Sequence, residues 1–158
     1  MPQYHIAQVN IGRVKGPMDS AAMHGFASRL DEVNALADAA PGFVWRLKDN
    51  GGNATAYRPF AGDDTLLINM SVWESVAALQ HYVYKTVHAE LLRNRHLWFE
   101  RFAGVYAALW WVPAGHIPTV EEAKERLAHL EAHGPAPFAF TFQQVFAPDS
   151  AQRQAGSG

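Results

Sequence analysis

Five short apolar segments of strand character are interspersed with four helical stretches, two of them paired, and that order leaves few folds open. Residues 4–11 (YHIAQVNI), 43–47, 65–73 (TLLINMSVW), 105–112 (VYAALWWV) and 138–146 (FAFTFQQVF) read as strands, the third most strongly. Between them, Met23, Phe26, Leu30, Val33 and Leu36 recur at steps of three and four and predict an amphipathic helix of about five turns. Asp19 or Ser20 is placed to cap its start, and Pro41-Gly42 to stop it. Gly12 to Pro17 supplies turn residues. Val76, Leu79, Tyr82 and Val83 mark a second helix, followed by a helical stretch over 87–102 carrying Leu91, Leu92, Leu97, Trp98 and Phe102. Thr119 and Glu122 match a capping box that opens the last helix, and Gly134 is placed as its left-handed C-cap. The order is strand, helix, strand, strand, helical pair, strand, helix, strand. It predicts an α+β fold, an antiparallel-rich sheet with helices on one face. The other sheet face then needs cover, and aromatic-rich strands make self-association a natural solution.

At 158 residues the chain suits one domain, expected over 1–147, followed by a flexible polar tail over 148–158. The polar, Gly-rich stretch 49–64 (NGGNATAYRPFAGD at its centre) is long for a connection, which marks it as a functional or a disordered loop. Apolar residues make up 49% and charged residues 18%, a globular composition. The net charge of −2 and the lack of a basic run give no footprint for nucleic acid. With no cysteine there is no disulfide framework, thiolate metal site or cysteine nucleophile. No signal peptide and no membrane-spanning run is evident, so a cytoplasmic protein is expected. There is no Gly-rich phosphate loop, G-x-S-x-G elbow or H-E-x-x-H helix, which argues against nucleotide-dependent and serine-hydrolase chemistry. The aromatic content of 12%, with five tryptophans, suits a large core, a dimer interface or a pocket for a flat apolar ligand.

Several stretches resemble a known family. They are Asn69-Met-Ser-Val-Trp73, His88, Arg95, Trp98-Phe99 and the run Leu109-Trp-Trp-Val-Pro-Ala-Gly-His-Ile-Pro118. The closing Glu122-Ala123, Arg126-Leu127, Leu130, Gly134 and 138–142 complete the set. Together they resemble a bacterial family of unknown function that is similar to the antibiotic biosynthesis monooxygenases, within the dimeric α/β-barrel superfamily. The resemblance spans residues 4–146. It implies a ferredoxin-like antiparallel sheet in each subunit, closure of two sheets into a dimeric α/β barrel, and a ligand pocket between sheet and helices. It does not fix the chemistry, because fold-mates range from cofactor-free oxygenases to haem enzymes.

Four groups of residues are candidates for a site. Asn69 and Trp73 lie four apart on a strand and therefore face the same way. In the similar monooxygenases an asparagine and a tryptophan at this spacing hold a phenolic multi-ring substrate, one as donor to an enolate or oxygen, the other as a stacking wall; packing is the competing role for Trp73. His81, His88 and His96 share one helix face if the helix is continuous. The haem-degrading branch of the superfamily carries its iron-ligating histidine on this helix, so the resemblance makes His88 a candidate haem ligand; three exposed or core histidines is the plainer account. Of Trp45-Arg46 and Trp110-Trp111, alternation puts only one member of each pair on the pocket side. Arg46 is a charge partner for a ligand anion or an interface ion pair, and Trp98 a further aromatic surface. His116 sits in a Gly/Pro-fixed loop at a possible pocket entrance.

The resulting expectation is a small-molecule enzyme, a cofactor-independent monooxygenase acting on an aromatic or polyketide-like substrate. Asn69, Trp73, Arg46 and His88 are its catalytic candidates, and Trp45, His81, Trp98, Trp110 and His116 its substrate-binding candidates, with no metal. The alternatives are a haem- or metal-binding protein using His88 and a non-catalytic, small-ligand-binding homodimer.

Overall fold

The structure, a computed structural model, describes residues 3–17, 19–48, 66–85, 89–90, 93–100 and 104–148. The 49–64 loop and all but the first residue of the expected tail lie outside them, as do Leu91, Leu92 and Phe102. Strand β1 (Tyr4–Arg13) is followed by helices α1 (His24–Ala27) and α2 (Leu30–Ala39), strands β2 (Phe43–Arg46) and β3 (Leu66–Trp73), and helix α3 (Val76–Lys85). Strand β4 (Ala107–Pro113) and helix α4 (Val120–His133) complete the order. The four strands form one antiparallel sheet in the order β2-β3-β1-β4. Strand, helix, strand, strand, helix, strand in that sheet order is the ferredoxin-like arrangement.

Alternation along the two central strands creates two faces. Ile6, Leu67, Trp73 and Leu109 pack against Val33 and Ala37 of α2 and Leu79 and Tyr82 of α3. Ala7, Val9, Ile68, Met70, Val72, Trp110 and Val112 point the other way. The two helices of the ferredoxin-like unit thus share one face, as the element order predicts. The C-terminal α4 adds to it: Ala123, Leu127 and Leu130 pack with the residues of the opposite face. That face is accordingly buried within a single chain, Val9 and Val72 being 0% exposed.

Several boundaries differ from the sequence reading, each for a local reason. Strand β1 does not turn at Gly12 but continues through Arg13, which pairs with Leu66. A Cβ on Gly12 would lie 2.7 Å from a ring carbon of Phe99, so the bare glycine is what lets Phe99 sit against the strand. The expected long first helix breaks at Ser28 and Arg29. There the Ser28 hydroxyl donates to the Gly25 carbonyl at 3.2 Å, a local alternative to helix propagation. Ser20 makes no capping bond and donates instead to the Pro17 carbonyl. Residues 138–146 are not a fifth strand. Phe140 exchanges two backbone hydrogen bonds with Leu109 (2.8 and 2.9 Å), and the chain then turns. Phe138 packs with one core and Phe140, Phe142 and Phe146 with the other, so the segment serves both sides of the sheet edge.

The Trp-Trp-Val-Pro-Ala-Gly-His run emerges as a fastening. Trp110 Nε1 donates to Glu122 Oε2 and His116 Nε2 meets Glu122 Oε1, both at 2.8 Å, while Trp111 Nε1 donates to the Phe146 carbonyl at 2.7 Å. The capping box is therefore half formed. Thr119 Oγ1 accepts from the Glu122 N–H, but the Glu122 carboxylate is taken by Trp110 and His116. At the other end Gly134, at φ 75°, closes the helix onto the Leu130 carbonyl. Glu122→Ala is expected to destabilise the fold by about 2–3 kcal/mol, because it strands the N–H of the fully buried Trp110. Chemical denaturation checks this; a loss within a few tenths of a kcal/mol would show that the fastening is not needed.

Candidate functional site

Polar side chains are out of place on the inner face of the two central strands, yet four stand there in a row. Gln8 and Asn10 of β1 lie opposite Ser71 and Asn69 of β3. Gln8 Nε2 donates one hydrogen to Asn69 Oδ1 (2.9 Å) and the other to Ser71 Oγ (2.7 Å). Trp73 Nε1 donates to the same Ser71 oxygen at 2.9 Å. The Asn10 amide reaches Gln8 Oε1 at 3.5 Å, the long limit of a hydrogen bond.

Counting donors and acceptors gives the row a direction. Both amide hydrogens of Gln8 are used. Both acceptor positions of Ser71 are filled, so its O–H is left to donate, and no acceptor for it occurs among the described residues. Asn69 Oδ1 accepts from Gln8 while its own two N–H groups are likewise without an acceptor there. What Ser71 and Asn69 offer their surroundings is chiefly hydrogen-bond donors.

These groups form the floor of a cavity of about 730 Å³, whose lining also takes in residues of the opposite face such as Val9, Ile68 and Leu130. Aromatic rings wall it. Phe26 meets Trp98 at 5.7 Å and Phe99 edge-on at 5.1 Å, and Trp98 packs against Gly25, where a Cβ would lie 3.1 Å from its indole nitrogen. At the closed end Tyr82 stacks on Trp73 with centroids 5.1 Å apart, and Phe43 meets the same indole edge-on. The Tyr82 hydroxyl donates to the Val33 carbonyl at 2.9 Å, and burial pushes its phenol well above the usual tyrosine range. Tyr84 and Tyr106, 53% and 38% exposed, mark the solvent side. Among the described residues lining the cavity there is no carboxylate and no histidine.

Asn69, Trp73, Arg46 and Trp98 all line this cavity. Asn69 and Trp73 share a face, and Ser71 links them. Trp73 is fully buried with a face occupied by Tyr82, so its described contact with the polar row is through its N–H. Arg46 is held in two bonds to Asp38, at 2.8 and 3.2 Å. Trp45, His81, Trp110 and His116 are not among the lining residues. Trp45 and Trp110 belong to the opposite face, His81 is exposed on α3, and His116 is bonded to Glu122 in a separate recess. His88 lies outside the described residues. Among those residues no group of three histidine, aspartate or glutamate side chains could hold a metal ion. Gln8, Ser71 and Tyr82 were not singled out from the sequence. The signal for the first two was polarity at alternate positions of otherwise apolar strands.

The family model described as "Domain of unknown function (DUF3291)" matches residues 5–156. No curated protein matches the chain. Among solved structures, a protein of unknown function from Nitrosomonas europaea is 15% identical, covers 75% of this chain and 99% of its own, and has a TM-score of 0.46. A mutant of SnoaB, a cofactor-independent oxygenase from Streptomyces nogalater, is 15% identical, with 72% and 95% covered and a TM-score of 0.44. A monooxygenase from the gene ActVA-Orf6 of Streptomyces coelicolor, in complex with nanaomycin D, is 19% identical, with 73% and 92% covered and a TM-score of 0.42.

The buried Tyr82 phenol carries a pH prediction. Above the ordinary tyrosine value of about 10 the unfolded chain releases a proton that the folded chain keeps, so stability falls as pH rises there and is unaffected by this group below it. Alkaline absorbance titration should show a tyrosine that ionises only as the chain unfolds, and Tyr82→Phe should remove that late step. A late step that survives in the variant belongs to another tyrosine.

Proposed function

We propose that this chain, which belongs to the DUF3291 family of domains of unknown function, is a small-molecule enzyme that oxygenates a flat, multi-ring aromatic substrate without a cofactor. The observation that carries the reading is the donor-rich floor inside aromatic walls. A cavity of this kind suits a ligand with ring faces to bury and carbonyl, phenolate or enolate oxygens to bond. Donors fixed where negative charge develops are the commonest large contribution to catalysis of enolate chemistry. Asn69 and Ser71 supply those donors, Gln8 and Trp73 position Ser71, and Phe26, Trp98 and Phe99 hold the rings.

The chemistry follows from what the cavity offers. An anthrone-type substrate loses a proton from its ring CH2 to give an enolate, which the floor stabilises. The enolate reduces dioxygen, one oxygen atom bonds to the ring carbon, and loss of water leaves a carbonyl, so that CH2 and O2 become C=O and H2O. The proposed substrate is acidic enough to ionise to solvent, a proton loss that asks for no carboxylate or histidine from the described lining residues. The same observation favours a second reading, a protein that binds such a ligand without turning it over. His88, which the resemblance offers as a haem ligand, lies outside the described residues. Association into a homodimer and a cytoplasmic location belong to the proposal and rest on the resemblance and on composition; no helix among the described residues is long and apolar enough to cross a membrane.

Oxygen uptake with dithranol, a hydroxyanthrone, tests the reading. The enzyme is expected to accelerate conversion to the anthraquinone. Asn69→Ala should lower the rate about 100-fold or more, with a melting temperature nearly unchanged because the residue is exposed. Binding of dithranol without oxygen uptake would establish the second reading instead.

A further inference from the structure

Among its described lining residues the cavity carries unbalanced charge. Its described lining includes two cations within reach of its floor and walls, Arg46 and Arg95, and no anion. Arg46 is matched by Asp38. Arg95 is half-buried, and no carboxylate among the described residues pairs with it. Its guanidinium lies 4.6 Å from the centroid of the Tyr106 ring, a contact that supports the plane of the fork and leaves its N–H edges open. Two other described arginines are differently placed: Arg29 meets Glu90 and Glu32, and Arg126 donates to the Phe138 carbonyl.

Arg95 lines the same cavity as the polar row, and the sheet places its neighbour Tyr106. The Ile11 N–H donates to the Tyr106 carbonyl at 2.8 Å, and the next residue, Ala107, lies opposite Asn10, which in turn lies opposite Asn69. The Tyr106 backbone therefore lies at the Asn10/Asn69 end of the row, away from Trp73, and the Arg95 guanidinium lies over the Tyr106 ring. From Asn69 to Trp73 the strand runs about 13 Å, room enough for a multi-ring system. A ligand lying along the row with its rings toward Trp73 would bring its other end to Arg95.

Building on the proposed aromatic site, we infer that its ligand is an aromatic acid, whose fixed carboxylate docks on Arg95 at the open end while its ring oxygens take the donors of the floor. A planar carboxylate matches two parallel N–H groups of one guanidinium, and a single cation balances a single negative charge.

Two probes with the same rings separate this inference from the reading beneath it. Anthraquinone-2-carboxylate and 2-(hydroxymethyl)anthraquinone differ only in the anion, and quenching of tryptophan fluorescence reports their binding to the full chain. The acid is expected to bind about tenfold more tightly at low ionic strength, equivalent to one well-placed ion pair, with the gap narrowing as salt is added. In Arg95→Gln the gap should close while the neutral probe binds as before, which also shows that the variant is folded. Arg95→Lys should restore part of it. Equal binding of both probes to the natural chain, or a gap that survives Arg95→Gln, overturns the inference and leaves the aromatic site standing. Failure of both probes to bind overturns the two together.

Discussion

The interaction on which the site depends is the pair of hydrogen bonds that converge on Ser71 Oγ, one from Trp73 and one from Gln8. A serine 8% exposed on the inner face of a central strand must be hydrogen-bonded or it destabilises the fold. Here the demand is met by two donors, and that answer decides what remains. With its oxygen saturated, the hydroxyl can only donate. Through Gln8 the same constraint reaches Asn69, whose carbonyl is engaged and whose N–H groups are left over. A structural requirement, that buried polar atoms find partners, thus orients a set of donors toward a cavity.

Aromatic packing keeps the cavity open above them. Phe26, Trp98 and Phe99 lean on one another and are seated on Gly25 and Gly12, two positions where a side chain would push them inward. The segment that carries Trp98 and Phe99 is stitched to the end of β1, with Lys15 N–H bonded to the Trp98 carbonyl and Glu100 N–H to the Arg13 carbonyl. The walls therefore belong to the sheet rather than to a loose loop. On the opposite face the Trp110–Glu122–His116 fastening holds α4.

Much of this was legible in the sequence. Strand β3, the element order, the Thr119 cap and the Gly134 stop are local patterns, and local patterns determine them. Period-two spacing put Asn69 and Trp73 on one face. What a single strand cannot disclose is its partner. Gln8 and Asn10 look like solvent-facing residues until the register places them against Ser71 and Asn69. Trp110 and His116 looked like binding residues because aromatic and imidazole groups carry chemistry, but a carboxylate twelve positions beyond Trp110 holds both. The 138–146 segment alternates like a strand, yet its phenylalanines are shared between two cores, and only tertiary contacts reveal that.

In the proposed function the floor stabilises negative charge on a bound ring oxygen. Alizarin, a dihydroxyanthraquinone whose colour changes on ionisation, tests it directly by spectrophotometric titration in the presence of saturating protein. Donors aimed at the oxygen favour the phenolate, so the bound dye should ionise at lower pH than the free dye, and Asn69→Ala should return it toward the free value. A bound dye that ionises at the same pH as in water, or at a higher one, would mean that the cavity is merely apolar and that the donor row does not act on its ligand.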